Sequence, residues 1–265
     1  MASPDDIFQY LPLRYKTQDE ENYIKFLWEG FELNYENEKY QFAFIAYHLL
    51  FMTYVYFQIW KIYAVFTDDF RKSILGFQKI DSMILELEER NKKNKAEGNP
   101  IEQFYPFSFS EENERTIMTF FRLIGCDKSK IVSYKKLVDD RNEIAHANGR
   151  MIFVASKDID KKIEQILKLI GEIQSHSCET AKQCLIKFMM HDSDVETREH
   201  IDDLDQINEV LIRGHYVSPK DIEEMLTYDL SKFSSESNFS EIESLFQTFF
   251  STYHKDDETQ AAWCG

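Results

Sequence analysis

Turn-forming residues are scarce: 8 Gly and 5 Pro in 265 residues are too few for a many-stranded all-β fold, whose strands need turn signals every 8–12 residues or so. Cysteine is sparse as well. Cys126, Cys178, Cys184 and Cys264 form no C-x-x-C pair, which excludes a dense disulfide framework and fits reduced thiols in a cytosolic protein. His176, Cys178, Cys184 and His191 lie near one another in sequence, but the two thiols are six residues apart on an expected helix. They do not present adjacent thiolates as metal fingers do, so neither a metal nor another cofactor is expected. The N-terminal Met-Ala-Ser-Pro-Asp-Asp lacks the basic and apolar regions of a secretion signal, and the mature chain is expected to start here.

Positive charge is in deficit, 31 Lys and Arg against 47 Asp and Glu for a net −16, which disfavours general coating of DNA or anionic membranes. The deficit is uneven. Residues 1–50 hold 4 basic and 9 acidic side chains, 51–200 hold 23 and 24, and 201–265 hold 4 and 14. The near-neutral middle leaves room for a local basic groove and a discrete RNA-cleaving site.

Aromatics are plentiful, with 22 Phe and 14 Tyr. Bulky core material with little punctuation points to long helices, and the length allows one large or two small domains. From Tyr40 to Trp60 no charged residue occurs across twenty-one positions, long enough to span a bilayer. Gln41, His48, Thr53 and Gln58 interrupt the run, and its tyrosines are spread along it instead of marking two interfaces. A helix buried among other helices fits better, because its tyrosines can find partners there. No membrane association is expected.

Helical spacing predicts elements over 20–34, 39–66, 69–96, 110–124, 129–148, about 156–190, 195–213, 219–231 and 240–253. Ser108 and Glu111 resemble a capping box for the fourth, with Gly125 closing it; Ser218 and Pro219 read as cap and first residue of the eighth. The polar stretch His191–Asp194 is the expected boundary. The reading is an all-α fold: an N-terminal extension (1–37), a helical core (38–190), and an acidic helical C-terminal section (195–265) packed on it. That last section reads either as solvated helix surface or as a docking or autoinhibitory face for something basic.

The stretch Leu137-Val138-Asp139-Asp140-Arg141-Asn142-Glu143-Ile144-Ala145-His146 carries the chemistry. Asn142 and His146 are four apart on a helix, and Asp139 lies seven before His146, so the three share a face. Arg141 lies to one side, with a side chain long enough to swing back toward it. These types suit RNA scission through the ribose 2′-hydroxyl. A histidine can take the 2′-OH proton, an arginine can hold the phosphate as its charge grows, and Asn142 can orient either group. Only one histidine is present, and a two-fold dimer could supply a second across one cleft. The same residues also admit a structural role: Arg141 can pair with a carboxylate, and His146 can sit at the helix C-terminus, where the dipole favours a cation.

Arg141-Asn142-Glu143-Ile144-Ala145-His146, late on a helix with a long aromatic helix upstream and another following, resembles the R-x4-6-H signature of the HEPN superfamily (higher eukaryotes and prokaryotes nucleotide-binding domains). The resemblance covers the motif helix closely and 38–190 loosely. It implies a HEPN-like helical bundle that dimerises into a metal-independent endoribonuclease, as in toxins and abortive-infection effectors against phage, leaving cyclic phosphate ends. Arg141 and His146 carry over as catalytic and Asn142 as a supporting polar residue. In the branch silenced by a nucleotidyltransferase antitoxin a Tyr stands two residues after the His; Asn148 is here instead, which puts that route in doubt.

Lys135, Lys136 and Arg150 are candidate substrate-binding residues, either holding RNA phosphates or lying on a solvated helix face. The leading expectation is a cytoplasmic, homodimeric ribonuclease with an RNA substrate and an antitoxin or other regulatory partner. Its rival is a non-catalytic module binding RNA or protein through the same groove.

Overall fold

Helix α1 (Gln18–Glu36) lays Ile24, Leu27 and Phe31 against helix α2 (Tyr40–Val65), at the spacing that keeps apolar side chains on one helical face. α2 is the charge-free run of the sequence. In the computed structural model, which describes residues 3–146 and 152–254, every residue of α2 from Leu50 to Ile62 is buried. Its polar groups find partners inside the protein: Tyr47 donates to the Pro4 carbonyl at 2.8 Å, and the Trp60 indole to that of Phe104 at 2.7 Å. Gln58 donates to the Gln174 side chain at 3.3 Å. Among the described residues α2 is long and apolar enough to cross a membrane, but 78% of its most apolar stretch is buried, as in the core helix of an all-α unit. No strand occurs among the described residues, so the all-α reading holds.

The helix expected over 69–96 is broken. Helix α3 (Thr67–Ser73) passes through a 3-10 turn, Ile74–Gly76, before helix α4 (Gln78–Glu97) begins. The break frees Phe77 from helical geometry (φ −118°, ψ 73°). Its ring then stacks on Phe120 with centroids 4.3 Å apart, and Phe70 stacks on Phe120 at 4.8 Å. Such stacks add to simple area burial.

The capping box expected at Ser108 and Glu111 does not form either. Pro106–Glu111 is a 3-10 turn in which the Ser108 N–H bonds to the Tyr105 carbonyl. Asn113 takes over as the cap, its side-chain oxygen accepting the Arg115 N–H at 2.9 Å and opening helix α5 (Glu114–Ile117). A 3-10 turn, Met118–Ile124, follows and closes as expected at Gly125, whose φ of 82° suits a residue without Cβ. Asp127 caps helix α6 (Lys128–Ala145), and helix α7 is Ser156–His191.

The chain divides into two units: Met1–Ile7 with Gln18–Ser177, and Phe8–Thr17 with Cys178–Gly265. The division falls inside α7 and not at the polar stretch His191–Asp194. Residues 1–37 are not a separate extension. α1 belongs with the first unit through α2, while residues 8–17 join the second, where the Leu13 N–H bonds to the Val217 carbonyl at 2.9 Å. The Arg213 guanidinium donates to the carbonyls of Tyr15 and Lys16 at 3.0 and 2.7 Å.

In the second unit, the expected helix 195–213 is shorter: α8 (Asp203–Gln206) runs into a π-helical stretch, Ile207–Arg213. Helix α9 (Pro219–Met225) starts where expected. Ser218 caps it, and Asp221 completes a buried reciprocal box by accepting the Ser218 N–H at 2.9 Å. Helix α10 (Phe239–Tyr253) buries Ile242, Leu245, Phe249 and Tyr253 on one face. The Gly214 N–H reaches back to the Glu209 carbonyl at 3.0 Å, a wide turn that brings the Val210 carbonyl against the Gly214 Cα. A Cβ there would overlap that oxygen. Gly214→Ala is therefore expected to destabilise the second unit by about 1–3 kcal/mol, measured by urea denaturation. Wild-type stability in the variant would mean that the wide turn relaxes freely.

Candidate active site

α6 is continuous from Lys128 to Ala145, so helical spacing decides which of its residues meet. Tyr134, Leu137 and Val138 are buried and define its inner face. Lys135, Asp139, Asn142 and His146 follow at offsets of four, seven and eleven and share an outer stripe. His146 is the last residue on that path. Its N–H still bonds to the Asn142 carbonyl at 3.1 Å, but its ψ of 141° turns the chain away. The helix thus ends at Ala145 and not at 148. His146 is exposed and Asn142 half-buried. Lys136 is exposed about 100° around the helix from Lys135, so only Lys135 of that pair joins the stripe. Arg150 lies outside the described residues.

Arg141 does not swing toward Asn142. It sits four residues after Leu137 and seven after Tyr134, on the inner face in the last turn of the helix, and its guanidinium pairs with Glu114 at the start of α5. The other oxygen of Glu114 accepts from His48 Nε2 of α2 at 3.1 Å. His48 is fully buried, Glu114 is 18% exposed, and the Arg141 side chain is 23% exposed. A carboxylate therefore bridges a histidine inside the core and an arginine at its margin.

The electrostatics follow from this layering. Burial pushes the Glu114 carboxyl up, but hydrogen bonds from His48 and Arg141, with the positive charge of Arg141, outweigh it and hold the group at about 2. Burial lowers the His48 pKa against the pull of Glu114. A neutral imidazole bonding an ionised carboxylate must donate from Nε2, which leaves Nδ1 a bare acceptor. Nδ1 and the Arg141 Nε are both buried with no hydrogen-bond partner. The Tyr23 and Tyr56 phenols lie within the field of Glu114, and both are pushed up, first by burial and then by that carboxylate.

Salt bridges fix the rest of α6. Asp139 pairs with Arg115, the residue after Glu114, and Lys162 of α7 reaches Asp140 at 2.6 Å. α5 thus grips α6 twice through consecutive residues. Glu114 and His48 had no place among the expected site residues. The signal for His48 was a lone imidazole in a charge-free helix, which must find a partner, but the partner lies 66 residues away, beyond any local pattern.

Comparison with family models, with curated proteins and with solved structures finds no match.

Proposed function

We propose that this chain is a metal-independent endoribonuclease of the HEPN kind, cytoplasmic and active as a homodimer, serving as a toxin or in defence against phage. One observation carries the reading. Arg141, anchored through Glu114 to the buried His48, stands about 1.4 turns before an exposed His146 at the free end of the helix. In the reaction, His146 takes the 2′-OH proton and the 2′-oxygen attacks phosphorus. Arg141 stabilises the charge of the five-coordinate phosphorus, and the bond to the 5′-oxygen breaks. The departing 5′-oxygen needs a proton, which His146 of a second copy supplies. The products are a 2′,3′-cyclic phosphate and a 5′-hydroxyl. Asn142 and Lys135, on the His146 stripe, orient the substrate and contact a flanking phosphate.

The test is cleavage of mixed tRNA and single-stranded RNA in EDTA, with product ends analysed, by wild type, Arg141→Ala and His146→Ala. A second reading has one observation in its favour. Arg141 is spent in an ion pair and His146 ends a helix, which is what a purely structural role requires of each. On that reading the chain binds RNA or protein without turnover, and RNA bound but uncut by the folded wild type would select it.

A further inference from the structure

A cleft of about 860 Å³ in the first unit lies away from α5 and α6, between α1, the N-terminal residues 3–5, and the first turns of α7. Trp28, Phe31 and Tyr35 recur on one face of α1 and form a continuous aromatic ridge, with the Phe31 ring 5.2 Å from that of Trp28 and 5.6 Å from that of Tyr35. Phe31 is buried; Trp28 and Tyr35 are half-buried, so their rings serve as wall as well as core. Tyr35 is locked by donating its hydroxyl to Asp160 of α7 at 2.7 Å.

Charge decides what such a cleft takes. Asp5, Glu32, Glu36, Asp160 and Glu164 line it against Lys157 and Lys161. Among the described residues, Glu32, Glu36 and Glu164 enter no ion pair, so their charge is available to a ligand. Five carboxylates against two ammonium groups repel phosphates and attract cations. A compact metal ion is a poor fit, because no group of three or more His, Cys, Asp or Glu among the described residues converges closely enough to hold one. The carboxylates are spread along an apolar, aromatic surface, and this suits an elongated cation with several charges separated by methylene groups. Its chain can lie on the ridge while its ammonium groups meet ring faces and carboxylates.

We propose that this cleft binds an aliphatic polyamine, with its methylenes along Trp28, Phe31 and Tyr35 and its ammonium groups toward Glu32, Glu36 and Asp5. The two lysines stand on the α7 wall, so the ligand lies along the α1 side. This inference goes beyond the ribonuclease reading and does not depend on it, since the readout is binding.

The experiment is calorimetric titration of the full chain with spermidine in 0.15 M salt, where diffuse attraction to an acidic protein is largely screened. Saturable one-site binding is expected, weakened at least tenfold in Glu32→Gln/Glu36→Gln and again in Trp28→Leu. An equal change of charge elsewhere, Glu86→Gln/Glu89→Gln on exposed positions of α4, is expected to leave it unchanged. The proposal is overturned by absence of saturable heat, by equal weakening in the α4 variant, or by an equal response to Mg²⁺ at matched ionic strength. A lysine-rich peptide that binds more tightly than spermidine, and loses that binding in the α1 variants, would also overturn it by making the occupant a protein segment. The α1 glutamates are exposed, so their amide variants are expected to fold.

Discussion

His146→Ala is expected to lower RNA cleavage at least a hundredfold, the low end of what a positioned acid or base contributes, with cyclic phosphate ends disappearing in step. Because His146 is exposed and ends its helix, its removal leaves the core untouched and the loss reads as chemistry. Arg141→Ala is expected to cost at least as much, by removing the cation that meets the developing charge on phosphorus. That variant also strands Glu114, so its melting curve must accompany its rate. Arg141→Lys keeps the charge but loses the planar fork that pairs with the Glu114 carboxylate, and it is expected to recover little. The double variant should be scarcely worse than either single one, as for groups that act as a unit. Undiminished cleavage in His146→Ala would end the proposal.

The elements that could be read from the sequence are those whose signals are local. The apolar run of α2, the Ser218-Pro219 start and the stop at Gly125 each depend on residues within a few positions of one another. The misread elements were decided at a distance. The break at Phe77 goes with the stacking of its ring on Phe120, forty-three residues on. The site divides in the same way. The outer stripe of Asp139, Asn142 and His146 is a matter of helical spacing and was legible. The partner of Arg141 was not, because spacing places it on the inner face but only tertiary packing supplies Glu114 and His48. The domain boundary was hidden for a related reason: nothing in the periodicity of α7 changes where the two units divide.

Glu114→Ala is expected to destabilise the first unit by about 3 kcal/mol, since it leaves the partly buried Arg141 cation and the buried His48 without their shared partner. For a unit of this size that is a fall of roughly 6–12 °C in melting temperature. Glu114→Gln keeps the shape and one acceptor and is expected to lose about half as much. The dependence on pH separates the charge from the packing. Glu114 is held at about 2, below its ordinary 4.5, so the unfolded chain binds the proton more readily. The stability from this group is therefore full above about pH 5 and drains away as pH falls toward 2. His48 acts in the same direction. Its folded pKa is lowered from 6.5, so below that value the unfolded chain again takes the proton first. The wild-type protein is thus expected to lose stability in two overlapping stages on acidification. Glu114→Ala should lack the lower stage while keeping the upper, in denaturation curves taken from pH 7 down to pH 3. Profiles that differ only by a constant offset would show that Glu114 acts by filling space, and the anchoring of Arg141 through it would fall with that result.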